Sequence, residues 1–237
     1  MEVIGSDMSF PMPPAKLWLF DIDGTLVDTG GAGMRALQEA AVECFGEEGP
    51  PLDLAGSTDL GVLAGILAHF ERPHGKEEEA LFFSTYLRRL EWQLAHGGHP
   101  GRVLPGAAEL LEKLAGYPEV TVGLLTGNVA GGAAAKMRHY GLHHHFAFGA
   151  YGCDHADRNQ LGPVALERAS IHSGREFSAE ETLVIGDTPK DVACAKAIGA
   201  RCLAVATGKF SAEQLRTCGA DMVVLGLDDP EILREFA

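Results

Sequence analysis

Asp21 and Asp23 stand two positions apart, directly after the apolar run Leu17-Trp18-Leu19-Phe20, and Gly24 follows them. On an extended backbone, residues i and i+2 project to one side, and a glycine lets the chain turn sharply behind them. Two carboxylates this close repel unless a cation lies between them or one keeps its proton. Both solutions suit phosphoryl transfer. A Mg²⁺ ion can bridge Asp21 and a phosphate oxygen, and Asp21 can attack phosphorus. Asp23 can then act as acid toward the departing alkoxide and as base toward the incoming water. A capped turn would use the same residue types without any chemistry.

Three further segments supply what such a reaction needs. Leu124-Leu125-Thr126-Gly127-Asn128 closes a second apolar run ahead of a helical pattern. A hydroxyl, a small residue and free amides at a helix start make an anion pocket. Thr126, Gly127 and Asn128 are therefore expected to receive a phosphoryl group, with a plain Thr126 N-cap as the simpler use. Val184-Ile185-Gly186-Asp187-Thr188-Pro189-Lys190-Asp191 presents two more acids at a strand-to-helix turn. Asp187 and Asp191 can complete, with Asp21, a hard oxygen-rich site for Mg²⁺. Helix capping alone would account for one acid there. Four carboxylates and a phosphate also call for a side-chain cation. Arg158, ahead of a helical segment opening near Pro163, is the expected clamp. Lys136, Arg138 and Lys190 are its rivals, and a solvated surface arginine is the plain alternative.

The elements that must position these residues follow from the patterning. Residues 31–45 carry Met34, Leu37, Ala41 and Phe45 at helical spacing and stop at Gly46. Residues 58–70 and 77–95 read as two more helices, the second with Leu81, Tyr86, Leu90 and Leu94 as its apolar stripe. No strand is evident between Asp28 and Pro105. Beyond the turn Gly97-Gly98-His99-Pro100-Gly101, strands are expected at 120–125, 146–148, 182–185, 202–205 and 222–225. Helices are expected between and after them at 107–115, 129–140, 163–172, 190–198, 212–218 and 230–236. This alternation predicts an α/β fold, a Rossmann-like doubly wound parallel sheet. Ligands in such sheets bind beyond the carboxyl ends of the strands, where the acids fall. The expected division is an N-terminal arm (1–15), an α/β core (16–28 and 104–237) and an all-helical cap inserted between them (29–103).

Length and charge narrow the field of partners. The 237 residues suffice for one core and a smaller lobe, and 46% hydrophobic with 22% charged residues is an ordinary globular balance. A net charge of −14, from 19 basic against 33 acidic residues, disfavours nucleic acid and anionic membranes as partners. One small anion stays compatible, because a bound metal reverses the local field. Five cysteines without a C-x-x-C pair predict free thiols and a cytoplasmic setting. No signal-peptide pattern and no membrane-length run is evident. His143-His144-His145 reads as a solvated turn rather than a metal site.

Taken in order, Asp-x-Asp-Gly-Thr at 21–25, Thr-Gly-Asn at 126–128 and Gly-Asp-Thr-x-x-Asp at 186–191 resemble the haloacid dehalogenase superfamily, in its phosphatase branch. The continuation Asp28-Thr29-Gly30-Gly31 is similar to phosphoglycolate phosphatase-like members. The resemblance implies a Mg²⁺-dependent phosphatase acting on a small phosphorylated metabolite through an aspartyl-phosphate. It implies Asp21 as nucleophile, Asp23 as acid and base, and Thr126 on the phosphoryl group. Mg²⁺ would be held by Asp21, Asp187 and the backbone carbonyl of Asp23, with Asp191 in support. The family's third motif is usually a lysine, often before proline; here Arg158 stands at about that place. Asp23 favours phosphate esters over carbon–halogen bonds, and Lys76, the one lysine of the cap, sits among acids, unlike the lysine of phosphonatase-like members. Arg35, Ser57 and Thr58 are the candidate substrate contacts of the cap, Arg35 for a carboxylate or a sugar. Two other readings share these residues: a phosphosugar mutase, whose cap would exclude water, and a non-catalytic module binding a phosphate ligand.

Overall fold

A short strand that is apolar on both faces must be covered on both faces, which is the condition of a parallel sheet between helical layers. The computed structural model describes residues 15–232. It begins with β1 (Leu17–Phe20), whose four residues are all buried. There follow β2 (Val27–Asp28), α1 (Ala32–Phe45), α2 (Asp59–His69), α3 (Lys76–His96), β3 (Arg102–Val103) and α4 (Ala107–Ala115). The remainder alternates: β4 (Thr121–Leu125), α5 (Ala130–His139), β5 (Gly149–Ala150), α6 (Leu161–Ser173), β6 (Thr182–Gly186), α7 (Pro189–Ala197), β7 (Arg201–Val205), α8 (Ala212–Thr217) and β8 (Met222–Val224).

Six parallel strands form one sheet in the order β5-β4-β1-β6-β7-β8. Side chains of β1 alternate between its faces. Leu17 and Leu19 join the cluster of Leu161, Ala165 and Ala169 from α6 and Val192 from α7. Trp18 and Phe20 join the cluster of Leu110, Leu111 and Leu114 from α4 and Met137 from α5. The sheet is therefore doubly wound. Phe20 pairs with Leu124 on one side and Ile185 on the other. Three adjacent strands thus end at one level, and the chain turns away from β1 in opposite directions there. That is the switch point at which such sheets bind ligands.

Between β2 and β3 the chain forms α1, α2 and α3, with their own cluster of Leu37, Leu63, Ile66, Phe82, Tyr86 and Leu90. Val129 and Ala135, at and in α5, also belong to that cluster, so α5 packs against both the sheet and the helices. β2 and β3 pair antiparallel, Val27 with Val103 and Asp28 with Arg102. This ribbon closes the neck of the helical insertion. Two residues are too few to show a period, which is why no strand was expected at 102–103.

Two other expectations shift. The strand expected at 146–148 lies at Gly149–Ala150, paired with Leu124 and Leu125, because the preceding chain is taken up by a 3₁₀ turn at His143–His145. In α3 the buried stripe is Phe82, Thr85, Tyr86, Leu90 and Gln93, while Leu81 is 59% exposed. Phe82 lies four residues before Tyr86 on the buried face, and Leu81, about 100° round the helix, falls outside that stripe. Most of the arm at 1–15 and most of the helix expected at 230–236 lie outside the described residues. No helix of the described residues is long and apolar enough to cross a membrane. The α3 assignment is checked by urea unfolding: Phe82→Ala should cost about 3–5 kcal/mol, and Leu81→Ala should stay within about 0.5 kcal/mol.

Candidate active site

Asp21 and Asp187 leave the ends of neighbouring strands, each 5% exposed, and Asp191 lies fully buried one helical turn beyond. One oxygen from each of the three carboxylates lies within 4.8 Å of the others. Asp191 is already committed. Its Oδ2 accepts from the Thr188 amide (3.0 Å) and hydroxyl (2.7 Å) in the capping box that starts α7. Its Oδ1 meets Arg158 Nη2, which also lies 3.3 Å from Asp21 Oδ1 and donates to the Leu125 carbonyl at 3.2 Å. Arg158 is itself buried, and its Nε has no partner. Room for this arrangement depends on glycine. A Cβ on Gly24 (φ +83°) would stand 2.4 Å from Asp187 Oδ2, and one on Gly208 1.8 Å from the same atom.

Charge of one sign packed this tightly raises proton affinity. Burial pushes the Asp21 carboxyl up to about 6; Arg158 opposes this, and Asp191 and Asp23 add to it. Burial, with repulsion from Asp191 and Asp21, pushes Asp187 up to about 8. Burial alone would lower the Arg158 guanidinium, but Asp191 and Asp21 outweigh it and hold that group above its ordinary range.

A second network holds Asp23. Its Oδ2 accepts from Asn128 Nδ2 (2.8 Å) and from Lys136 Nζ (2.6 Å). Lys136, 3% exposed on α5, also donates to Asn128 Oδ1 (2.6 Å). Asn128 in turn donates to the Thr126 hydroxyl oxygen at 2.9 Å. Asp59, the first residue of α2, is buried nearby, and its Oδ2 accepts the Val129 amide at 2.7 Å. Burial pushes Asp59 up to about 6, although Lys136 pulls it down. Its own amide donates to the Gly127 carbonyl at 2.7 Å. The helical insertion thus sits directly on the Thr126–Asn128 turn. A Cβ on Gly127 would stand 1.9 Å from the Ser57 carbonyl oxygen.

A cavity of about 310 Å³ opens over these strand ends. Asp21, Asp23, Gly127, Asn128, Arg158 and Asp187 line it, and so do Lys136 and Lys209. Several expected contacts fall elsewhere. Thr126 is fully buried behind Asn128, and Asp191 behind Arg158, and neither lines the cavity. Arg35 is exposed and pairs with Glu39 (3.0 Å) and Glu48 (3.5 Å) on the outside of α1. Thr58 caps α2, accepting from the Gly61 amide at 3.1 Å and donating to the Ala156 carbonyl at 2.6 Å. Ser57 does line the cavity, with its hydroxyl held by Lys190 at 2.7 Å. Among the rival cations, Arg138 lies on the surface near Glu91 (3.7 Å), and Lys136 is inside. The side chain of Asp23 is outside the carboxylate cluster, so its metal role would fall to its backbone carbonyl. The turn at His143–His145 has no buried residue, His143 and His144 are exposed, and His144 and His145 each come within 3.7 Å of Glu112.

Asp59 and Lys209 were not among the expected site residues, and Lys136 was expected only as a rival to Arg158 for the phosphate, not as the partner of Asp23. Asp59 reads as a first-turn helix acid. Lys136 offered one signal, eight positions after Asn128 on a helix otherwise built of Ala and Gly over its first turns.

The donor set fits a hard divalent cation: Asp21 and Asp187 offer carboxylate oxygens, both acids are buried, and Arg158 alone does not cancel the repulsion. Together the sheet, the acids at its strand ends and the cavity define a hydrolase site of the α/β class. A family model described as haloacid dehalogenase-like hydrolase matches residues 15–199. The chain belongs to this family and is an enzyme of its phosphatase group. It is 30% identical to a phosphoglycolate phosphatase of Rhodospirillum rubrum over 212 residues, covering 86% of this chain and 85% of that protein. It is likewise 30% identical to a 5'-nucleotidase of Pseudomonas aeruginosa over 198 residues, covering 84% and 86%. Its fold is similar to CbbY from Rhodobacter sphaeroides in complex with phosphate, with a TM-score of 0.71 and 20% identity over 91% of this chain and 96% of that one.

The raised carboxyls set a pH dependence. A folded-state value above the unfolded one, near 3.8, stabilises the metal-free protein at low pH. That contribution is lost as pH rises through about 6 for Asp21 and about 8 for Asp187. A bound divalent cation offsets the repulsion and competes with those protons. The rise in melting temperature caused by Mg²⁺ should therefore grow from about pH 5 to about pH 8. A pH-independent rise, measured by calorimetry in both conditions, would contradict the coupled cluster.

Proposed function

We propose that this chain is a Mg²⁺-dependent phosphatase that hydrolyses small phosphate monoesters through an aspartyl-phosphate on Asp21. The observation that carries the reading is the juxtaposition of Asp21 with Arg158 at 3.3 Å and Asp187 on the cavity floor, beside an Asp23 fixed by Lys136. An Asp21 oxygen attacks phosphorus, and the bond from phosphorus to the ester oxygen breaks. Asp23 gives a proton to that oxygen as the alcohol leaves. Asp23 then takes a proton from water, whose oxygen attacks phosphorus; the bond to Asp21 breaks, and inorganic phosphate departs. Lys136 and Asn128 both engage Asp23 Oδ2, which leaves Oδ1 for these transfers.

Mg²⁺, held by Asp21, Asp187 and the Asp23 carbonyl, would neutralise charge on the phosphoryl oxygens. Arg158 supplies the cation that the family's third-motif lysine supplies elsewhere, which weakens the non-catalytic reading. Gly127, Asn128 and Arg158 receive the phosphoryl group, and Thr126 orients Asn128. Residues 29–103 act as a cap on a core of 16–28 and 104–237, with the β2–β3 ribbon as its neck. The relatives named as phosphoglycolate phosphatase and 5'-nucleotidase support a small phosphorylated metabolite as substrate.

Phosphate release from a panel of esters tests this. With Mg²⁺, wild type should turn over and Asp21→Asn should not, while Asp23→Asn should lose about 10²–10⁴-fold in kcat. Conversion of a sugar phosphate to its isomer without phosphate release would point to a mutase instead. Lys136→Met should lower kcat by up to about 10²-fold with little change in KM, because it loosens Asp23 and not the substrate. A kcat equal to wild type would remove Lys136 from the mechanism.

A further inference from the structure

We propose that the ester's leaving group is a compact, electrically neutral alcohol, in preference to one that carries a carboxylate. This rests on the phosphatase reading above and concerns the wall of the cavity opposite the phosphoryl end. The helical insertion supplies that wall with Met34, Leu37, Leu54, Val62 and Tyr86. It supplies no lysine or arginine. Arg35, the cation of α1 that a carboxylate would need, is turned outward and paired with Glu39 and Glu48.

The cations that do line the cavity belong to the core, and the two buried ones are engaged. Arg158 spans Asp21 and Asp191 and Lys136 spans Asp23 and Asn128, both buried, while Lys209 is exposed and pairs at the surface with Asp53 at 2.7 Å, outside the apolar wall. The one charge the insertion brings to the cavity is an acid, Asp59. A carboxylate on the leaving group would therefore lose water against an apolar wall and face Asp59, with both buried cations of the cavity already held by core acids, which is costly. A neutral alcohol meets no such penalty. Its carbon face packs on Met34, Leu37 and Val62, and its hydroxyls have Asp59 as an acceptor. At about 310 Å³ for phosphoryl and leaving group together, the site lies at the small end of ligand cavities.

The test compares phosphoglycolate with ethylene glycol monophosphate, the same ester with a hydroxymethyl group in place of the carboxylate. Release from p-nitrophenyl phosphate, lost in Asp21→Asn, runs in parallel to report the phosphatase reading itself. The neutral ester should show a kcat/KM at least about 10-fold higher. Met34→Arg, which sets a cation in the wall, should shift the preference toward phosphoglycolate. Equal or better turnover of phosphoglycolate by wild type overturns the proposal, and so does failure of both esters while p-nitrophenyl phosphate is cleaved. Should p-nitrophenyl phosphate also fail, the phosphatase reading fails separately. The charge preference is then read from calorimetric binding of the same pair to Asp21→Asn with Mg²⁺: tighter binding of the neutral ester supports it, and tighter binding of phosphoglycolate overturns it.

Discussion

Carboxylates buried at the ends of adjacent parallel strands repel one another, and much of this molecule is arranged to contain that repulsion. Asp21, Asp187 and Asp191 come within 4.8 Å because β1 and β6 are neighbours in register and α7 begins immediately after β6. Burial makes each uncompensated charge expensive. Arg158 answers part of the cost, reaching Asp21 and Asp191 with one nitrogen, and the Thr188 capping box answers more of it at Asp191. Burial and its two acidic neighbours raise the proton affinity of Asp187 further than that of Asp21. A site left short of positive charge in this way is ready for a divalent metal and the phosphate it accompanies.

The same economy of space governs how the helical insertion meets the core. Gly127 has no room for a side chain because the Ser57 carbonyl lies where a Cβ would stand. Gly152 is confined likewise by the Gly127 carbonyl. Asp59 bridges the two parts by accepting the Val129 amide at the start of α5, a position where a helix favours an acid. Because Lys136 sits on that same helix and binds Asp23, the seating of the insertion and the placement of Asp23 share one structural element.

Much of this was legible in the sequence, for physical reasons. An apolar run closed by acids and glycine has few uses other than a buried strand opening on a site, so the positions of Asp21 and Asp187 could be read from residues 17–24 and 184–191, and the parallel sheet from the alternation of strands and helices after residue 104. Arg158 could be placed only by its position ahead of a helix. Its burial comes from Gly56, Leu125 and Asp191, which are distant in the chain. The burial of Lys136 and Asp59 has the same origin, in contacts across 113 and 70 positions, and no local pattern reports such contacts. Arg35 illustrates the converse: a helix arginine near the first motif invites a ligand role, yet two glutamates on its own side of the insertion claim it. Thr126, expected at the phosphoryl group, is fully buried, and its hydroxyl oxygen accepts from the amide and the side chain of Asn128, a contact that spacing alone does not report.

The central claim is covalent: phosphorus passes through a bond to Asp21. Rapid acid quench of wild type turning over a good ester with Mg²⁺, followed by peptide mass spectrometry, tests it most directly. The account predicts a peptide containing residues 17–28 with the mass of one added phosphoryl group, located to Asp21 and absent from Asp21→Asn. Turnover with no phosphorylated peptide under any quench time, or with the group on another residue, would contradict it.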